Sequence, residues 1–209
     1  MNHKEQLYKN ALAIIEKIYK HSKYDDNVDL YRSVDIINAV NDNQFKSKEW
    51  LVENLIPHLP KKLNKIALLG GWYGMLGCLI QQQVDVEIDS IDTDPETRVI
   101  GNRLTEGVGN INFLVEEAFE HITEYDSRYQ CIINTSCEHM EPEDINLMNE
   151  LKHKDTVVCL QSNNYHSVQS HINTYNSLEE FVDSLDLLKV FYSGTLTTPN
   201  YDRYMVIGR

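Results

Sequence analysis

The 209-residue chain has no Cys-x-x-Cys pair and far fewer bases than acids. It also has no apolar run approaching the ~18 residues that a membrane-spanning helix requires. Its four cysteines, Cys78, Cys131, Cys137 and Cys159, are dispersed, and three of them sit inside or beside apolar runs. That usage speaks against a disulfide framework and fits buried, reduced thiols in a cytoplasmic protein. The first residues, MNHKEQLYKN, lead into an amphipathic pattern without the apolar centre of a signal peptide. Only 19 Lys and Arg stand against 32 Asp and Glu, a formal net charge of −13. A phosphate-tracking surface needs many clustered cations. A local group, Lys61, Lys62 and Lys65, does not offset the overall field, so no nucleic-acid or membrane partner is expected. A small-molecule acceptor or a protein side chain is the expected partner, and a homodimer is compatible with this reading.

What is present is the ordinary apolar content of a globular protein, 42%, in a chain of one-domain length without linker composition or internal repeats. Residues 1–64 read as helical. Leu7, Ala11, Ile14, Ile15 and Ile18 recur at three- and four-residue steps. Tyr24 to Asn27 break that helix, a second runs from about Leu30 to Val40, and a third begins near Ser47 and stops before Pro57 and Pro60. These helices are expected to cap the domain formed by residues 65–209, with Tyr8, Tyr19, Tyr24 and Tyr31 packing or lining the lid.

From Lys65 onward short apolar runs alternate with helical segments. Strands are expected at 66–69, 86–91, 111–115, 129–133 and 156–160, and helices at about 73–82, 95–104, 119–123 and 142–151. Asp94 and Pro95 read as the cap and first residue of one helix, and Ser177 with Glu180 as a capping box. This alternation specifies an α/β, three-layer, mostly parallel sheet of seven strands. The last two strands, Leu188 to Thr197 and Tyr204 to Ile207, are joined by a short turn near Pro199-Asn200, so they must be antiparallel.

In such a sheet ligands bind beyond the carboxyl ends of the strands. Those ends here are Gly70-Gly71, Asp92, Glu116-Glu117, Asn134 to His139, and Gln161 to Asn164. Gly71, Gly74 and Gly77 are spaced by three, with Gly70 alongside, which is not the G-x-G-x-x-G dinucleotide pattern. A nicotinamide-binding domain is disfavoured by those glycines and by the closing hairpin. Asp92 lies 22 positions after Gly70, close to the roughly 20 expected for an acid that binds ribose hydroxyls.

The succession Ile66-Ala67-Leu68-Leu69-Gly70-Gly71-Trp72-Tyr73-Gly74, then Ser90 to Pro95, then Phe113 to Ala118 resembles motifs I, II and III of class I (Rossmann-like) S-adenosylmethionine-dependent methyltransferases. The terminal hairpin resembles that family's reversed seventh strand, and the chain is similar to methyltransferase-like proteins of phages and bacteria. The resemblance implies that S-adenosylmethionine is the cofactor, with Gly70, Gly71, Trp72, Tyr73 and Gly74 facing its methionine moiety. Asp92 and Thr93 would face the ribose, and Glu117 and Ala118 the adenine. Leu68 stands where the family's first motif usually carries an acid, and Trp72-Tyr73 is bulkier than its usual loop. The nucleic-acid amino-methylating tetrapeptide, Asn/Asp-Pro-Pro-Tyr/Phe, does not occur after Ile133.

Within the fourth strand end, Glu138 and His139 are the candidate proton acceptors for an acceptor group, and Asn134 a candidate hydrogen-bonding partner of cofactor or acceptor. Asn163, Asn164 and Tyr165 are candidate acceptor contacts. Cys137 reads as an inert buried thiol. His166 and His171, with Glu138 and His139, could assemble a metal site, but the five-residue His spacing is not a zinc signature and no thiolate pair accompanies it, so no metal is expected. Methyl transfer to a small molecule is the leading reading. Aminocarboxypropyl transfer or a cyclase/lyase reaction releasing methylthioadenosine is the second, and a non-catalytic binding protein on a degenerate methyltransferase fold the third.

Overall fold

A computed structural model describes residues 2–21, 28–125, 128–151 and 153–209. The expected break at Tyr24 to Asn27 lies outside them. Three helices come first: α1 (His3–His21), α2 (Val28–Ala39) and α3 (Asp42–Leu55). The third starts five residues before the expected Ser47. The Asn41 side chain caps it by accepting the Gln44 amide at 2.9 Å, so a polar stretch that resembles a loop is the helix entry.

Strands and helices then alternate: β1 (Lys65–Leu69), α4 (Met75–Gln81), β2 (Glu87–Asp92), α5 (Pro95–Leu104), β3 (Ile111–Val115), α6 (Ala118–Tyr125), β4 (Cys131–Asn134), α7 (Pro142–Leu151), β5 (Val157–Asn163) and α8 (Leu178–Asp183). The hairpin β6 (Val190–Thr197) and β7 (Asp202–Gly208) closes the chain. The seven strands are ordered β3-β2-β1-β4-β5-β7-β6. β1 to β5 pair in parallel, and β7 is antiparallel to both β5 and β6. The three-layer fold and its reversed strand are as the alternation required. Asp94 caps α5 by accepting the Glu96 amide, with Pro95 as first residue.

The central strands β1, β4, β5 and β7 are buried on both faces, so their side chains alternate between two apolar layers, whereas the edge strand β6 is largely exposed. Ile66, Leu68, Ile133, Cys159 and Met205 join α1 to α5 on one face. Ala67, Leu69, Ile132, Leu160 and Val206 join Ile122, Met148 and Phe181 on the other. Leu7, Ile36, Phe45 and Leu51 are fully buried in the first layer, which ties the N-terminal helices to the sheet. Asn10 on α1 donates to the carbonyls of Leu104 (2.7 Å) and Glu106 (3.0 Å), satisfying groups that the end of α5 leaves unpaired. Tyr8 packs on Phe45, whereas Tyr19 and Tyr31 are 75% and 82% exposed. Among the described residues no helix is long and apolar enough to cross a membrane.

Candidate active site

Strand order reverses between β1 and β4, whose last residues, Leu69 and Asn134, are paired. A parallel sheet opens a crevice at such a point, because the connections leave in opposite directions. The first connection is a tight turn. Gly70 (φ +60°) and Gly74 (φ +75°) take the left-handed conformation, and so does Trp72 (φ +50°), where a side chain costs roughly 1–3 kcal/mol. A Cβ on Gly71 would stand 2.1 Å from Ser90 Oγ, so only glycine fits beside β2.

Asp92 holds this turn. Its carboxylate accepts the Trp72 amide at 3.1 Å and the Asp94 amide at 3.1 Å, joining the glycine turn to the end of β2. The strain at Trp72 is met from a second direction. Asp35 on α2 accepts the Trp72 indole N–H at 3.2 Å and also the Tyr73 hydroxyl. Arg32 on α2 donates to Tyr73 Oη (3.0 Å) and Asp94 (2.8 Å), and pairs with Glu96 at 2.9 Å. Burial, reinforced by Asp35, raises the Tyr73 hydroxyl above its usual range, so it stays protonated and donates.

Two cavities meet at Gly70, Asp92, His139 and Met140. The smaller, about 330 Å³, is bounded by Thr93, Glu116, Glu117, Ala118 and Phe119. Glu117 also accepts the Phe119 and Glu120 amides at 2.8 Å each, so it caps α6 at the cavity wall. The larger, about 760 Å³, extends past Gly71 and Trp72 under Gln44 and Lys48 of α3 to Glu138, Asn163, Tyr165, His171 and Arg203. Tyr165 stacks on Tyr201 with ring centres 5.4 Å apart.

Its floor is charged. Glu138 is only 4% exposed; one carboxylate oxygen lies 3.5 Å from Arg203 Nη2, and the other is buried without a hydrogen-bond partner. Arg203 also donates to the Thr135 carbonyl at 3.1 Å. Burial, with repulsion from Arg203, pulls the half-buried Lys48 ammonium down to about 7 against the attraction of Glu138. His139 and His171 complete the wall, their rings edge to face at 4.7 Å.

Of the residues singled out from sequence, Gly70, Gly71, Trp72, Asp92, Thr93, Glu117, Ala118, Glu138, His139, Asn163 and Tyr165 line these cavities. Four do not, and each has another task. Tyr73 is buried towards Asp35 and Arg32. Gly74 precedes α4 in the left-handed conformation, and a Cβ there would meet the Phe113 ring at 2.6 Å. Asn134 is fully buried, accepting the Ser136 amide at 2.9 Å and facing Met140 Sδ. Asn164 accepts the Asp202 amide at 2.8 Å and so fastens β5 to β7. Cys137 is buried and its thiol is pushed well up, as expected of an inert cysteine. Lys48, Arg203, Arg32 and Asp35 escaped sequence reading because their partners are distant in the chain. Only the Arg32–Asp35 spacing, one helical turn, carried any local signal.

No protein-family model matches the chain, and no curated protein sequence matches it. Solved structures do match the fold. The PH0226 protein of Pyrococcus horikoshii OT3 superposes with a TM-score of 0.62 at 14% identity, over 81% of this chain and 92% of that one. The N-methyltransferase NodS of Bradyrhizobium japonicum WM9 gives 0.60 at 9% identity, over 81% and 97%. A structure of MtNAS in complex with MTA and tNA gives 0.56 at 11% identity and reaches over 98% of this chain and 70% of that one. At these identities the likeness is one of fold: a class I, Rossmann-like architecture shared with S-adenosylmethionine-dependent methyltransferases and their relatives. The named sources are cellular organisms, so the likeness is not specific to phage proteins.

Proposed function

We propose that this protein is an S-adenosylmethionine-dependent transferase acting on a small polar acceptor, with residues 1–64 capping the catalytic domain. The observation that carries this reading is the junction of two cavities at the carboxyl end of the sheet, directly beside the Gly70–Trp72 turn and Asp92. The residues fit the cofactor. The smaller cavity, about 330 Å³, is lined by Asp92, which would take ribose hydroxyls, and Glu117, which would take an adenine amino group. Gly71 brings bare backbone up to the place where the methionine portion would lie. When bound, S-adenosylmethionine supplies an electrophilic carbon next to its sulfonium.

The remaining work falls to the chain. Arg203 and Lys48 would hold an anionic group of the acceptor, and Glu138 and His139 would orient it and take up its proton. The cap formed by α3 excludes water from the larger cavity. Titration calorimetry with S-adenosylmethionine and S-adenosylhomocysteine tests the reading. Micromolar binding of either supports it, and no heat from well-folded protein with both ligands overturns it.

A second reading, aminocarboxypropyl transfer, draws support from one observation. The likeness to MtNAS covers 98% of the chain and so includes α1–α3, whereas those to NodS and PH0226 each cover 81%. That protein was solved in complex with MTA and tNA. Product analysis separates the two readings: S-adenosylhomocysteine means methyl transfer, and methylthioadenosine means transfer of the larger group.

A further inference from the structure

We propose that Glu138, His139 and His171 form a binding site for a first-row divalent transition metal such as Zn2+, contrary to the expectation from linear spacing. One donor atom of each residue lies within 4.8 Å of those of the other two. His139 and His171 are far apart in sequence, but the backbone carbonyl of Glu138 accepts the amides of Ile172 (2.9 Å) and Asn173 (3.1 Å), which clamps one segment against the other.

Two independent features point to a ligand. First, both imidazoles are fixed in the same way: Nδ1 of His139 lies 3.0 Å from the Ser170 carbonyl, and Nδ1 of His171 lies 2.9 Å from the Tyr165 carbonyl. A carbonyl can only accept, so each Nδ1 carries the proton and each Nε2 keeps a lone pair. That is the usual outer support of metal-ligating histidines. Second, one buried oxygen of Glu138 has no hydrogen-bond partner while Arg203 holds the other. Such an oxygen costs free energy unless a cation or donor meets it.

Two nitrogens and one carboxylate with a face open to the cavity match sites for borderline transition metals that retain an exchangeable position. The nearby cations Lys48 and Arg203 weigh against hard ions such as Mg2+, which depend on charge and oxygen ligands. Under the proposed function, on which only this role rests, the metal would bind the acceptor's donor atom. Glu138 and His139 would then act as its ligands rather than as free bases.

Untagged, metal-free protein titrated with Zn2+, and separately with Co2+, tests the site. One equivalent should bind, and Co2+ should develop the visible d–d bands of a nitrogen- and oxygen-ligated ion. His139→Ala and His171→Ala should each weaken Zn2+ binding by at least about 10-fold. Glu138→Gln should do the same, and the exposed His139 gives a variant that stays folded if the buried change does not. His166→Ala should leave affinity unchanged, since that ring faces Thr174 instead. Failure of the folded protein to take up either metal overturns the site, as does wild-type affinity in both histidine variants. Binding of S-adenosylhomocysteine without metal uptake overturns only the metal site. Metal uptake without cofactor binding overturns only the transferase reading.

Discussion

The two ends of the sheet carry clefts of almost equal size. The amino-end cleft measures about 750 Å³ and the larger carboxyl-end cavity about 760 Å³. Their polar groups differ. At the amino end, Asp89 accepts from Tyr129 (2.6 Å), Asn112 (2.9 Å) and Lys65 (2.9 Å), and Gln81 bridges Val86 and Asn110. No side chain lining that cleft is among the orphaned buried groups. At the carboxyl end Glu138 and Arg203 each keep a buried polar atom without a hydrogen-bond partner, and the backbone is held in strained conformations at the adjoining turn. Polar groups satisfied by one another stabilise a fold. Polar groups left unsatisfied beside a cavity are what a ligand can complete.

Paired substitutions can break that contrast. Asp89→Ala strands three donors, one of them a lysine, and should cost about 3 kcal/mol in urea melts while leaving S-adenosylhomocysteine affinity unchanged. A loss of affinity there would put the amino end into the site. Asp92→Ala should lower S-adenosylhomocysteine affinity by roughly 10–100-fold in calorimetry, the worth of hydrogen bonds to a charged group, and it should also cost stability because the Trp72 and Asp94 amides lose their acceptor. An unchanged dissociation constant would remove Asp92 from the ribose.

Gly71→Ala bridges the two behaviours. Overpacking against Ser90 should destabilise by about 1–3 kcal/mol, and the displaced turn should lower affinity as well. Lys48→Met sharpens the contrast by pH. Folding holds this ammonium near 7 rather than 10.5, so the unfolded chain binds more protons between those values and stability rises with pH across them. The variant should lose that upward slope in melts between about pH 6 and 7.5, below the range in which unfolded thiols ionise appreciably. A slope equal to wild type would place the perturbed group elsewhere.

Sequence carried the architecture because the central strands are buried on both faces and stand out as short apolar runs. Ile66 to Leu69 and Val157 to Leu160 could be little else. The contact between Asp92 and the glycine turn lies within one βαβ unit, where spacing along the chain is a local property. The larger cavity is not local in this way, because it is assembled from α3, the turn after β4, the segment after β5, and β7. Nothing near Lys48 or Arg203 in the chain announces that they converge on Glu138. Tyr73 shows the opposite failure: its place in a ligand-facing motif suggested a contact with cofactor, but an aspartate 38 residues earlier takes its hydroxyl.

That aspartate has a wider consequence. Because Asp35 receives both aromatic side chains of the turn, the helix that bears it serves as a template on which the turn is cast. The N-terminal helices and the sheet-bearing part are therefore poor candidates for recombination as separate modules. A graft that brought in a foreign cap would have to bring a carboxylate to the same point in space, or accept a turn of different shape.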